Sequence, residues 1–211
     1  DNSASEPEIL PADFHNLLAN GSEGIAVGLT PSIPPHNILE ALDACILRLK
    51  QSDAPLEAYY KIFKGPDLPT GGLITQSRDE YLALYQTGKG SFKISARYQI
   101  EELKNGKYQI IVSELPYMVS KSRIISSLAD LFKAKKLTFL ETIRDESSED
   151  IRIVLVPKSR NFPAEKIMAT LFKLSPLASR YYANFNVLND QNQPQQLGLL
   201  AILDLYLKHR R

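Results

Sequence analysis

Chemistry in this 211-residue sequence would have to come from a small set of side chains. There are three histidines, His15, His36 and His209, and one cysteine, Cys45. The histidines are not spaced as a metal pair, and one cysteine builds neither an intrachain disulfide nor a cysteine zinc cluster. His36 follows Pro34-Pro35 at a helix start, where an imidazole caps or packs rather than ligates. No Gly-x-Ser-x-Gly nucleophile elbow is present. Thr87-Gly-Lys-Gly-Ser91 misses the spacing of a phosphate loop and leads into a strand instead of a helix. The run Asp145-Glu-Ser-Ser-Glu-Asp150 lacks the alternating ligands and central glycine of a calcium loop, so it reads as a hydrated hairpin turn. On this reading the chain carries no catalytic residue and no metal site of its own.

The formal net charge of +1 conceals an uneven distribution. Asp1 to Tyr60 holds nine acids against two bases, whereas Ser91 to Lys136 holds nine bases against four acids. The basic stretch from Lys93 to Lys136 suits a surface that tracks phosphates, although charge runs more often only solvate a face. The longest apolar run, Gly198 to Leu203, is far too short to cross a bilayer, and the N-terminus is acidic where a secretory signal is basic. A cytoplasmic location is expected. The chain opens without methionine and closes in Leu-Lys-His-Arg-Arg without a helix stop, which reads as a fragment of a larger protein.

The elements that must position these residues follow from periodicity and punctuation. Residues 1–20 read as irregular, because Pro7 and Pro11 break helices. Gly21 to Gly28 suits a buried strand or turn, and Thr30 to Pro35 a stiff extended connector. Asn37 and Glu40 form a capping-box pattern that opens a helix to about Lys50, with Ile38, Leu42, Cys45, Ile46 and Leu49 on the inward face. Short helices are expected over Pro55 to Phe63 and Arg78 to Gln86, with a loop over Gly65 to Gly72. After Gly90 the pattern alternates, and Asn105-Gly106 is a hairpin signal. Helices over Ser120 to Lys136, Pro163 to Leu174 and Gln196 to Arg211 separate strands over Thr138 to Arg144, Ile151 to Pro157 and Tyr181 to Leu188. The order from residue 91 is β-β-α-β-β-α-β-α. The expected class is α+β, an antiparallel sheet backed by helices and preceded by a mixed, loop-rich segment. The expected division is 1–90 and 91–211.

Several short motifs, each weak alone, occur in one register. Glu6-Pro7, Leu10-Pro11, Asn16-Leu-Leu18, Asn20-Gly21, Gly24-Ile-Ala-Val-Gly28 and Ile33-Pro-Pro-His-Asn37 come first. Gly65-Pro-Asp67, Pro69-Thr70, Thr87-Gly-Lys-Gly90, Leu115-Pro-Tyr117 and Arg144-Asp-Glu-Ser147 follow. In this order the chain resembles the A subunit of bacterial type IIA DNA topoisomerases over nearly its whole length. Lys135-Lys-Leu137 and Val154-Leu-Val-Pro-Lys-Ser159 are more similar to the topoisomerase IV subunit than to the gyrase subunit. His15 stands where that family usually has proline, and Leu29-Thr-Pro-Ser32 also departs from its pattern.

The resemblance implies a tower region beside the DNA gate, with 1–90 adjacent to the gate and 91–211 the tower core with its closing helix. It implies double-stranded DNA as a partner, a homodimer of the full-length A subunit, and an ATPase/TOPRIM partner subunit that uses Mg2+ and ATP. The nucleophilic tyrosine of the family lies in an Arg-Tyr-Thr-Glu-type motif that this chain lacks. Arg97-Tyr98 and Arg180-Tyr181 are followed by other residues and read as sheet positions. Ile33, between polar residues and a Pro-Pro pair, reads from the sequence alone as ordinary packing, whereas the resemblance implies a wedge into a bent duplex. Asn20, Ser22, Lys121 and Arg123 are the expected phosphate contacts. The rival reading is a stand-alone α+β interaction module without nucleic-acid binding.

Overall fold

The computed structural model describes residues 5, 12–25, 30–189 and 191–210. The Pro7 and Pro11 segment, and residues 26–29 of the glycine-bounded apolar run, lie outside the described residues. The first half holds helix α1 (Asn16–Asn20), strands β1 (Ser22–Glu23) and β2 (Ser32–Ile33), helices α2 (Ile38–Lys50) and α3 (Leu56–Tyr59), strand β3 (Leu73–Thr75) and helix α4 (Arg78–Thr87). Strands β4 (Lys89–Ser95), β5 (Arg97–Glu102) and β6 (Tyr108–Glu114) precede helix α5 (Lys121–Lys133). Strands β7 (Leu140–Asp145) and β8 (Ile153–Pro157), helix α6 (Ala164–Leu174) and strand β9 (Ala178–Asn184) follow. A small hairpin, β10 (Asn186–Leu188) with β11 (Pro194–Gln196), leads into helix α7 (Leu199–Arg210). The class is α+β, and the ladders that join these strands are antiparallel.

The chain forms two compact units and passes between them four times. One unit comprises 1–67, 81–90 and 183–211; the other comprises 68–80 and 91–182. This differs from a single division at residue 90. The closing helix returns to the first segment, where α7 packs on α2 and the Arg48 guanidinium meets Asp204 at 2.7 Å. Periodicity reports that a helix has an apolar face; it does not report what covers that face.

The second unit is organised by a four-stranded sheet in the order β5-β6-β8-β7. Alternation along a strand sends Ile110, Val112, Ile153 and Leu155 to one face, where they pack with Ile124 and Leu128 of α5 and with Ile167, Met168 and Leu171 of α6. Of the expected inward positions on α5, Ile125 and Leu131 are partly buried and Phe132 is exposed. The β5–β6 hairpin turns at Asn105 and Gly106, both at positive φ, as the Asn-Gly pair demands. The alternating stretch after Gly90 divides into two strands, β4 and β5, and the β5–β6 register shifts between Arg97 and Tyr98. Strand β3, which pairs Ile74 with Ile94, is too short to leave a periodic signal.

The first unit buries Leu18, Ile33, Ala41, Ala44, Cys45, Tyr59, Phe63, Tyr81, Leu84, Tyr85 and Phe185. Asn37 caps α2 as expected, its side-chain oxygen accepting from the Leu39 and Glu40 amides at 3.0 and 3.2 Å. Glu40 does not close a capping box; its carboxylate accepts from the Lys64 amide at 2.9 Å. The inward face of α2 also differs from expectation. Ala41, Ala44 and Cys45 face the core, while Ile38, Ile46 and Leu49 are exposed. The helix carries two apolar stripes, and the one with small side chains faces the core. Cys45 is a core thiol, and burial pushes its pKa up to about 11.

Candidate nucleic-acid interface

The segment around β1 and β2 gathers three of the five expected contact residues. His15 caps α1, its Nδ1 accepting from the Leu18 amide at 3.4 Å, so a helix forms where the sequence reads as irregular. At the end of α1 the chain reverses at Gly21, whose φ of 70° favours glycine. A side chain there would also run into the Ile33 carbonyl oxygen and the Pro34–Pro35 backbone. Ser22 then pairs with Ile33 and Glu23 with Ser32 in an antiparallel ladder. Gly24 N–H donates to the Pro31 carbonyl at 3.3 Å, and Asn184 donates to the Thr30 carbonyl at 2.9 Å.

The return strand is anchored by His36. Its backbone N–H and its ring Nδ1 both reach the Leu18 carbonyl at 2.9 Å. A carbonyl only accepts, so Nδ1 carries the proton and Nε2 accepts from the Tyr85 hydroxyl at 2.7 Å. The ring stacks on Phe63 at 4.8 Å, and burial lowers its pKa to about 4, which keeps it neutral. Asp67 holds the same corner, its amide donating to the Pro35 carbonyl at 2.9 Å and its carboxylate accepting from Asn37 at 3.1 Å. His36 is thus a packing residue, as its position after two prolines implies.

Ile33 lies where the packing reading of the sequence alone puts it. It is 2% exposed and packed in the core of the first unit, with its strand paired to β1. Flanking polar residues and prolines do not exclude burial when the strand's own alternation turns one side chain inward. The ladder that holds it is short, two residue pairs between β1 and β2. Among the described residues of this segment the exposed apolar one is Ile25, 94% accessible beyond Gly24. The sequence hides it, because an isoleucine inside Gly-Ile-Ala-Val-Gly reads as part of a buried strand. Asn20 lies at the end of α1 with its amide donating to Asn16, and Ser22 is half-buried on β1.

Lys121 and Arg123 belong to the other unit, in the first turn of α5. Ser120 caps that helix through the Arg123 amide at 3.4 Å. Lys121 Nζ pairs with Asp145 at 2.9 Å, and Asp145 is held low, at about 2, by its bonds to Ser147 and then Lys121. Arg123 is exposed, and no described acid pairs with its guanidinium. No acidic residue occupies the first turn of α5, so two cations lie at the positive end of a helix dipole, an arrangement suited to anions.

The other chemical candidates resolve into structure. Glu146 in the acidic turn accepts from Arg144 at 2.9 Å and Arg152 at 3.2 Å. Asp145 closes a local turn by accepting from the Ser147 amide at 3.1 Å. Tyr98 lies in β5 beside Phe172, and Tyr181 lies in β9 stacked on Phe92 at 5.2 Å, so both are sheet residues. Among the described residues no group of three or more His, Cys, Asp or Glu side chains could hold a metal ion. Thr87-Gly-Lys-Gly90 ends α4 and enters β4, with Phe185 N–H donating to the Gly88 carbonyl at 2.7 Å.

The chain is an α+β protein whose first unit carries a glycine-reversed hairpin with an exposed isoleucine and whose second unit starts helix α5 with Lys121 and Arg123. Residues 1–211 match the family of the DNA gyrase/topoisomerase IV A subunits, and the chain belongs to it. It is 48% identical to the DNA topoisomerase 4 A subunit of Caulobacter vibrioides over all 211 residues, and 46% identical to that of Rickettsia bellii. The corresponding protein of Streptococcus pneumoniae is 37% identical over 212 aligned positions. The chain spans 28%, 29% and 25% of these three relatives. No helix is long and apolar enough to cross a membrane among the described residues.

Proposed function

We propose that this chain is the DNA-binding and DNA-bending part of the breakage-reunion subunit of an ATP-dependent type II topoisomerase, of the topoisomerase IV kind, serving decatenation and relaxation. The observation that carries this reading is the β1–β2 hairpin, whose base is fixed by Gly21 and His36 and which carries two isoleucines. An apolar side chain inserted between unstacked base pairs offsets the few kcal/mol that unstacking the step costs. Ile33 serves as that wedge when the duplex displaces the two-pair ladder that covers it, and Pro34-Pro35 keeps its backbone stiff. Ile25 favours a second position for the wedge, because at 94% exposure it already stands in water and insertion would remove that surface. Asn20 and Ser22, on the elements beside both, reach toward phosphate or sugar, and Lys121 and Arg123 add phosphate contacts from the other unit.

In this reading the chain itself forms and breaks no bond. It binds and bends one duplex, while the tyrosine that cleaves that duplex belongs to another part of the A subunit. An ATPase/TOPRIM partner subunit supplies the ATP-driven step and the Mg2+ site. Two copies of the A subunit form the dimer, so two wedges enter one bent segment.

Duplex binding by the full A subunit, measured over a salt series, tests this. Each neutralised phosphate contributes about −0.9 to the slope of log K against log salt. A slope of several units is expected; a flat line would replace the DNA reading with an interaction module.

A further inference from the structure

Helix α2 carries its large apolar side chains on the wrong side for a helix that packs only within its own unit. Ala41, Ala44 and Cys45 face the core. Leu39, Ile46 and Leu49 point outward at 67%, 46% and 54% exposure, with Leu42 half-buried between them. Steps of three and four residues align positions 39, 42, 46 and 49 into one ridge, roughly 15 Å long at 1.5 Å per residue. Isolated exposed leucines are ordinary, whereas a contiguous apolar ridge marks a contact surface.

We propose that this ridge is the docking face for another segment of the same A subunit, namely an amphipathic stretch with apolar residues at matching helical spacing and a basic residue opposite Asp43. Length supports that occupant: the chain spans only 28% of the Caulobacter subunit, so most of such a polypeptide is available to cover it. Size supports it too. Four side chains fall far short of the roughly 20–30 residues per side of a stable two-chain interface. A tethered segment needs far less, because linkage supplies an effective concentration of about millimolar order. Charge sets the polar contact. Asp43 is exposed within one turn of both Leu39 and Ile46 and asks for a basic partner there, whereas exposed Lys50 follows Leu49 at the other end. The inference rests on family membership and not on the DNA-bending reading.

Thiol labelling of the full A subunit tests it. Ile46→Cys and Leu49→Cys are each treated with a maleimide, native and urea-unfolded, and the sites are read by peptide mass spectrometry. Native Cys45 gives a slow internal reference, since its thiol is buried with a pKa near 11. The expected result is labelling at least about tenfold slower in the native subunit than in urea, as for a site that must open to react. Protection should not change with protein concentration. Native rates equal to the unfolded rates would overturn the proposal by showing the ridge bare. Protection that grew with concentration would overturn it in favour of a second copy. Hydroxyl-radical footprinting of Leu39 and Ile46 in the wild-type subunit reads the same question without a substitution: low modification supports a covering segment, and modification at unfolded levels refutes it.

Discussion

Truncating Ile33 to alanine measures how firmly the first unit holds this side chain in its core. At 2% exposure the side chain is fully buried, and Ile33→Ala removes three carbons from the core of the first unit. At ~0.8 kcal/mol per buried carbon the transfer loss is about 2.4 kcal/mol. The flanking strand is pinned by Gly21 and by His36, so the site collapses poorly around the gap. A residual cavity of roughly 50 Å³ adds about 1 kcal/mol at ~24 cal/mol per Å³. The total is about 3–4 kcal/mol. Urea unfolding of the 211-residue chain, followed by amides of the first unit, should show the midpoint falling with an unchanged m-value. A loss below about 1 kcal/mol would refute the burial and leave Ile33 a surface residue even without DNA.

Other substitutions and conditions probe the remaining parts. Gly21→Ala places a Cβ against the Ile33 carbonyl at positive φ, and should cost about 2 kcal/mol or more, read as faster exchange of the Ile33 and His36 amides. His15 and His36 have folded pKa values lowered to about 4 by burial, against about 6.5 in the unfolded chain. Because the unfolded state binds the protons first, their contribution to stability is complete above pH 6.5 and is lost as pH falls toward 4. The slope is at most about 1.4 kcal/mol per pH unit for each histidine, so unfolding midpoints at about pH 7 and pH 5 should differ clearly. Arg123→Gln should reduce the salt slope of duplex binding by about one, whereas Lys121→Gln should reduce it less because Asp145 already shares that charge.

Much of the second unit is legible in the sequence because its signals are local. Asn105-Gly106 dictates a hairpin through positive φ, Ser120 caps α5, and the alternation of β6 and β8 marks the sheet face that α5 and α6 cover. Less of the first unit is legible, because its outcomes are decided by what packs where. Two apolar stripes on α2 look equivalent in sequence, and it takes the tertiary packing, with α1 and α7 both against α2, to leave Ala41, Ala44 and Cys45 as the inner one. Strands β1 and β2 span two residues each and leave no period. The hairpin is the hardest case. Apolar residues read as buried by default, which hides the exposed Ile25 but agrees with the burial of Ile33.

The bend of the duplex is the most direct readout of what the hairpin does. Fluorescence energy transfer between the ends of a short labelled duplex, bound to the full A subunit with its partner, reports the angle. The two isoleucines are truncated one at a time and together. Ile25 is almost wholly in water, so Ile25→Ala should leave thermal unfolding unchanged, whereas Ile33→Ala should lower it. With phosphate contacts intact, the salt slope of binding should hold in both. The duplex should nevertheless relax toward the straight form when the wedge is removed, with cleavage falling alongside, because nothing then holds the base step open. Normal bending by the double variant, still folded and still bound, would contradict a wedge in this hairpin and assign the distortion to other residues.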